Sequence, residues 1–194
     1  QHKTKEWFYQ IRDKICSDLM KLEQQFSDQA FVTSQWDREG GGGGEMRLLQ
    51  GGNLFEKAGV NVSCVHGLMK PEYADKVVGL DPNNPEFFAT GLSIVIHPRS
   101  PLIPAVHFNC RYVKTTQWWF GGGMDMTPVF NILEDTEFLH NELKKICDKR
   151  ADHCYDLFKK QCDEYFFLKH RNEPRGVGGI FFEYLNSDFD NEWS

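Results

Sequence analysis

The stretch "AVHFNCRYV", residues 105–113, decides how the rest of the chain reads. It alternates as a β-strand does. Val106, Phe108, Cys110 and Tyr112 fall on one side, and His107, Asn109 and Arg111 on the other, because successive strand side chains point to opposite faces. A solvated sheet face carries Thr, Lys and Glu. Here a titratable imidazole, a planar amide and a guanidinium stand in one row, about 7 Å apart at every second residue.

The preceding apolar run, "LSIVIH" (residues 92–97), has the same habit. Leu92, Ile94 and Ile96 share one face, and Ser93, Val95 and His97 share the other. A Pro-rich loop, "RSPLIP", returns the chain between them, so the two segments predict an antiparallel pair. Pairing them gathers Ser93, His97, His107, Asn109 and Arg111 on one side. Any one of these residues alone reads as ordinary solvated surface. The set, undiluted by Lys or Glu, reads as the lining of a cleft for an anionic ligand, with Arg111 placed to hold a carboxylate through both arms of its fork.

Outward from this pair, Phe8, Ile11, Ile15, Leu19, Leu22 and Phe26 recur at helical spacing and predict an amphipathic helix over residues 5–26. Five glycines at 40–44 read as a link or as a loop coming close to something. Glu45 follows them where a P-loop needs Gly-Lys-Ser/Thr. "QGGN" (50–53) predicts a hairpin turn between apolar runs, and residues 68–88 a connection. "QWWFGGGMDMTP" is an aromatic strand running into three glycines. From Glu134 to His170 the period is helical, with Leu139, Leu143, Ile146 and Arg150 on one stripe and Tyr155, Phe158, Cys162, Tyr165 and Phe166 on a second. "IFFEYL" is a last strand. The fold class expected is α+β, a mainly antiparallel β-sheet flanked by α-helices, in a single domain over 1–194.

Composition narrows the function classes. With 194 residues, 16 Phe and 5 Trp, the chain has enough apolar bulk for a sizeable core. A net charge of −6 argues against general nucleic-acid binding. No run approaches the ~18 apolar residues of a membrane span. The six cysteines form no C-x-x-C pair and read as buried reduced thiols in a non-secreted protein. The chain opens on Gln1, and nothing in its first residues reads as a secretory signal. The expected compartment is the cytoplasm, or a mitochondrion or plastid if a leader was removed.

Three further sets of residues carry chemistry. Asp125 after "GGG" reads either as a helix cap ahead of "MTP" or as a carboxylate that the glycines let reach a ligand. Arg171 and Arg175 in "HRNEPRGVGG" read as a solvated basic turn or as a second carboxylate clamp. His97, His107, His140 and His170 are numerous enough for a metal site, yet neither H-E-x-x-H nor H-x-H spacing occurs, so hydrogen-bonding or acid–base histidines are the favoured reading.

These pieces together resemble the oxygen-dependent coproporphyrinogen III oxidases. The matching runs are "NLFEKAGVNVSCVHG", "GLSIVIHPRSPLIPAVHFNCRY", "WWFGGGMDMTP", "YFFLKHRNEPRGVGGIFFEYLN" and the "GGGG" ahead of "MRLLQGG". The resemblance implies oxidative decarboxylation of two propionates of coproporphyrinogen III to vinyls, giving protoporphyrinogen IX in haem biosynthesis. Dioxygen is the co-substrate, carbon dioxide and hydrogen peroxide are released, and no organic cofactor is used. A divalent metal has been argued both for and against. By the same resemblance Ser93, Asn109, Cys110 and Arg111 bind substrate, His107 is the proton donor, and Asp125 faces the pyrrole N–H groups. His97, His107, His140 and His170 become the metal candidates. The family's chains run on past "IFFEYLN", so this one is expected to lack the family's C-terminal part, which helps bind substrate and forms the contact of a homodimer. A non-catalytic tetrapyrrole-binding relative is the alternative.

Overall fold

The computed structural model describes residues 2–70, 72–73, 77–149 and 153–186. Its centre is a seven-stranded antiparallel meander in sequence order: β1 (Val32–Asp37), β2 (Gly42–Gln50), β3 (Phe55–Leu68), β4 (Glu86–Pro98), β5 (Ala105–Lys114), β6 (Trp118–Thr127) and β7 (Gly179–Leu185). Helix α1 (His2–Glu23) precedes it. Helices α2 (Leu133–Asp148) and α3 (Cys154–Tyr165) lie between β6 and β7. The α+β class read from the sequence is the observed one.

The alternation in β4 and β5 produces the layering. Leu92 pairs with Cys110, Ile94 with Phe108 and Ile96 with Val106, so one face is apolar across both strands. α1 covers that face at β3–β5, where Phe8 and Cys16 pack with Val60, Val62, Leu92, Ile94 and Tyr112. α2 and α3 cover the same face further along, with Leu139, Leu143, Cys147, Tyr155 and Phe158 against Met126, Val106, Met124, Ile180 and Phe182. The opposite face has no such cover among the described residues. There the end of α3 and the turn that follows it curl round the β7 edge, where Tyr165 stacks on Phe181 at 4.3 Å and Arg175 reaches Asp125.

Several expectations shift. The glycines at 40–44 are not a link. They close the β1–β2 hairpin and start β2, where Gly44 lies under the Trp36 ring, close enough that a Cβ would fall 2.6 Å from it. Gly121–Gly123 sit inside β6, not at its end, so Asp125 is a strand residue and not a helix cap. The α2 stripe runs Leu139, Leu143, Cys147. Ile146 is exposed, and Arg150 lies outside the described residues. In α1, Leu22 is exposed while two charged residues, Arg12 and Glu23, are buried, and Phe26 is exposed beyond the helix end at Glu23. Glu23 accepts the backbone N–H groups of Asn53 (2.7 Å) and Phe55 (2.8 Å), pinning the "QGGN" turn beneath the helix. Arg12 pairs with Glu45 on β2. All six cysteines are free thiols, and among the described residues no helix is long and apolar enough to cross a membrane.

Candidate active site

The uncovered face is ordered by strand register into transverse rows. One row is Gly59, Val95, His107, Asp125 and Gly179 across β3 to β7. The next is Asn61, Ser93, Asn109, Gly123 and Phe181, and a third is Ser63, Gly91, Arg111 and Gly121. His97 lies at the end, opposite Lys57. Ser93, His97, His107, Asn109 and Arg111 therefore share one face as the alternation required. Glycines leave much of the floor bare. The two beside Arg111 make its room: a Cβ on Gly121 would stand 3.2 Å from its Nε, and one on Gly91 would stand 3.3 Å from its Cβ.

His107, Asp125 and Arg175 form a chain of charge-assisted hydrogen bonds. The His107 Nδ1–H donates to Asp125 Oδ1 at 2.7 Å, and Arg175 donates to Asp125 Oδ2 through Nε at 2.8 Å and through a terminal nitrogen. Burial opposes ionisation of Asp125, but these bonds from His107 and Arg175 outweigh it and hold the carboxyl below the ordinary carboxylate range. An anion here fixes the imidazole as the tautomer with hydrogen on Nδ1 and Nε2 directed outward. Arg175 is held by the ring of Phe166, 3.8 Å from its guanidinium carbon. Asp125 is only 2% exposed with both oxygens engaged, so its carboxylate does not stand open to a ligand. It is buried although it stands on the open face, because His107 covers it from one side and Arg175 from the other.

Arg111 is paired with Glu183 of β7, a residue the sequence reading passed over. The pairing depends on a bulge. Phe120 pairs with Leu185 but Gly122 with Phe182, which puts an extra β7 residue opposite Gly121 and aims Glu183 at the guanidinium. Tyr184, at φ 61°, absorbs the bend and lays its ring 4.9 Å from that of Trp119.

Other candidates separate from this group. Cys110 points to the helical face, away from the open one, and burial pushes its thiol up to about 11. Arg171 pairs with Glu173 in an exposed turn, leaving Arg175 as the member of that motif that joins the site. The four histidines are not brought together. The His97 and His107 rings are 6.1 Å apart on the open face. His140 lies on the helical side with both nitrogens committed, Nε2–H to the Val177 carbonyl at 2.9 Å and Nδ1 to the Tyr155 hydroxyl at 2.8 Å. Among the described residues no group of three or more His, Cys, Asp or Glu side chains is gathered for a metal ion, so the residues present do not fit a histidine metal centre.

The arrangement offers an imidazole held by a buried carboxylate and, two rows along, a guanidinium on a bare glycine floor. Such groups have the chemistry to hold a carboxylate and to exchange a proton. Comparison with known proteins bears on the whole chain. The chain matches coproporphyrinogen III oxidase as a family over residues 3–194. It is 48% identical to the oxygen-dependent coproporphyrinogen-III oxidase of Rickettsia rickettsii (strain Sheila Smith), over 98% of this chain and 70% of that protein. The enzyme of the same name from Rickettsia peacockii (strain Rustic) gives the same figures. That of Rickettsia bellii (strain OSU 85-389) is 47% identical over the same shares.

Proposed function

The chain belongs to the coproporphyrinogen III oxidase family, and we propose that it catalyses the oxygen-dependent oxidative decarboxylation of coproporphyrinogen III to protoporphyrinogen IX in haem biosynthesis. The observation that carries this reading is the His107–Asp125–Arg175 chain set two rows from Arg111 on a face floored by glycine.

At each reacting propionate, the C–C bond to the carboxylate breaks and one C–H bond on the neighbouring carbon breaks. A vinyl group forms, carbon dioxide leaves, and two electrons reduce dioxygen, which takes up two protons as hydrogen peroxide. One proton comes from the substrate and the other must be supplied. His107 is the residue placed to supply it, through Nε2, with Asp125 holding the ring and stabilising the imidazolium. In this account Asp125 is a positioning residue and does not itself receive the pyrrole N–H groups. Arg111 and Arg175 hold propionates, and Ser93 and Asn109 add shorter hydrogen bonds. Dioxygen is the co-substrate, and the chemistry is assigned to these side chains and the electron-rich macrocycle, with no organic cofactor.

Free buried thiols support a reducing compartment, and the cytoplasm is the one proposed. Exposed Val129, Phe130, Leu133 and Phe138 leave apolar surface beside α2, which supports a homodimer. The test of the activity is product analysis. Coproporphyrinogen III prepared without air, mixed with the protein and then exposed to dioxygen, yields the divinyl product with carbon dioxide and peroxide. Substrate recovered unchanged, or oxidised to the porphyrin with all carboxylates retained, would end the reading.

A further inference from the structure

Asn61 heads the second row of the open face, and its position there is unusual. It lies in the middle of β3 between Val60 and Val62, which are 0% and 1% exposed against α1. Their burial on the helical face forces Asn61 onto the open face. Asn is disfavoured in strand interiors, where it offers little packing. Its Oδ1 is buried with no hydrogen-bond partner, and so is Oδ1 of Asn109. Buried polar atoms left in this way are uncommon and point to a role other than stability.

The register explains what the two amides have in common. Asn61, Ser93 and Asn109 are direct neighbours across β3, β4 and β5, so they form one transverse line, with Asn61 and Asn109 about 10 Å apart at the usual strand spacing. Because each amide turns its oxygen into the sheet, its Nδ2 is the atom presented outward. For Asn61 this nitrogen lies beside Gly59, where a Cβ would come within 3.8 Å of it and would meet nothing else within 4 Å. The outward edge of the line is therefore amide N–H, serine hydroxyl, amide N–H: donors, suited to a carboxylate.

We propose that Asn61 is a further substrate-binding residue, its Nδ2–H and the Ser93 hydroxyl together holding one carboxylate of the porphyrinogen on the β3–β4 side of the face. This rests on the open face being the substrate floor. Arg111 is on the next strand and one row along, so the two anchors grip different propionates. Asn61 thereby fixes the rotation of the macrocycle over His107 and not the chemistry itself.

The test is anaerobic binding of coproporphyrinogen III, which needs no turnover, with kinetics alongside. Asn61→Ala is expected to weaken binding and raise KM by ~10-fold while kcat stays within about 2-fold, as for a lost charge-assisted hydrogen bond. Asn61→Asp, which sets a charge against the carboxylate, is expected to weaken binding further, and Asn61→Ser to restore part of it. Thermal unfolding of Asn61→Ala should be unchanged or improved, since a buried orphan oxygen is removed. Wild-type binding with an unchanged Kd in Asn61→Ala overturns the role of Asn61 alone. Failure of the wild type to bind overturns the proposal together with the reading of the open face.

Discussion

Asp125→Asn is the substitution with the sharpest consequence. The carboxylate serves two donors at once, His107 through Oδ1 and Arg175 through Oδ2. An asparagine has one acceptor oxygen. If that oxygen stays with Arg175, the amide N–H₂ is set against the His107 Nδ1–H, donor to donor. Relief comes by moving the imidazole proton to Nε2, which reverses the tautomer presented to substrate. One charge-assisted hydrogen bond is lost. Its usual worth of about 1.5–3 kcal/mol is discounted here to about 1–2, because His107 and Arg175 are 30% and 31% exposed and water replaces part of what is removed. At this chain length that lowers Tm by roughly 2–8 °C. Turnover should fall by ~10²-fold or more, the scale of a disabled acid–base group, with a much smaller change in KM. Oxygen uptake with anaerobically prepared coproporphyrinogen III, and unfolding of the same sample, give both numbers. A folded Asp125→Asn protein with turnover within about 3-fold of wild type would remove the His107–Asp125 pair from the mechanism.

Arg111→Lys keeps the charge and loses the fork, and is expected to weaken binding of coproporphyrinogen III by ~1–3 kcal/mol in a titration. Glu183→Gln takes the internal carboxylate off Arg111, so KM should fall by roughly 2–5-fold, the worth of a partly exposed ion pair; a rise would mean that Glu183 positions the guanidinium instead. Glu23→Gln disturbs the turn under α1 and should cost about 1–3 kcal/mol in chemical denaturation with KM unchanged. Burial of Glu23 opposes ionisation, but Ser27 and the backbone N–H groups of Phe55, Leu54 and Asn53 hold its carboxyl below the ordinary range. Its contribution is therefore present above the ordinary carboxylate value and lost as pH falls through the lower folded one, so the acid limb of a stability–pH curve should flatten in Glu23→Gln.

The sheet was legible because its alternation is strict: β4 and β5 put apolar residues on one face and chemistry on the other, and the register kept that division across five strands. The same habit runs through "VNVS" and "IFFEYL", yet Asn61 and Glu183 were passed over, because a lone Asn or Glu on a strand reads as surface until pairing shows its neighbours. The bulge that aims Glu183 leaves no pattern in the residues themselves. Asp125 was left between a cap and a ligand-reaching carboxylate because three glycines resemble a loop, whereas flanking strands on both sides hold them extended. The four histidines could be counted but not placed. His140 is on a helix, and only packing shows that it answers Tyr155 and Val177 on the other side of the sheet. Arg12 and Glu23 broke the expected stripe of α1 because their partners, Glu45 and the "QGGN" turn, are distant in sequence.

The most direct test of the open face as the reaction floor is a structure of this protein with coproporphyrinogen III bound under anaerobic conditions. The macrocycle is expected over Gly121–Gly123, with a propionate on Arg111 in place of Glu183 and His107 Nε2 turned toward a reacting propionate. A macrocycle found instead on the helical side, in the cleft lined by His2, Lys5, Tyr9 and His66, would contradict it.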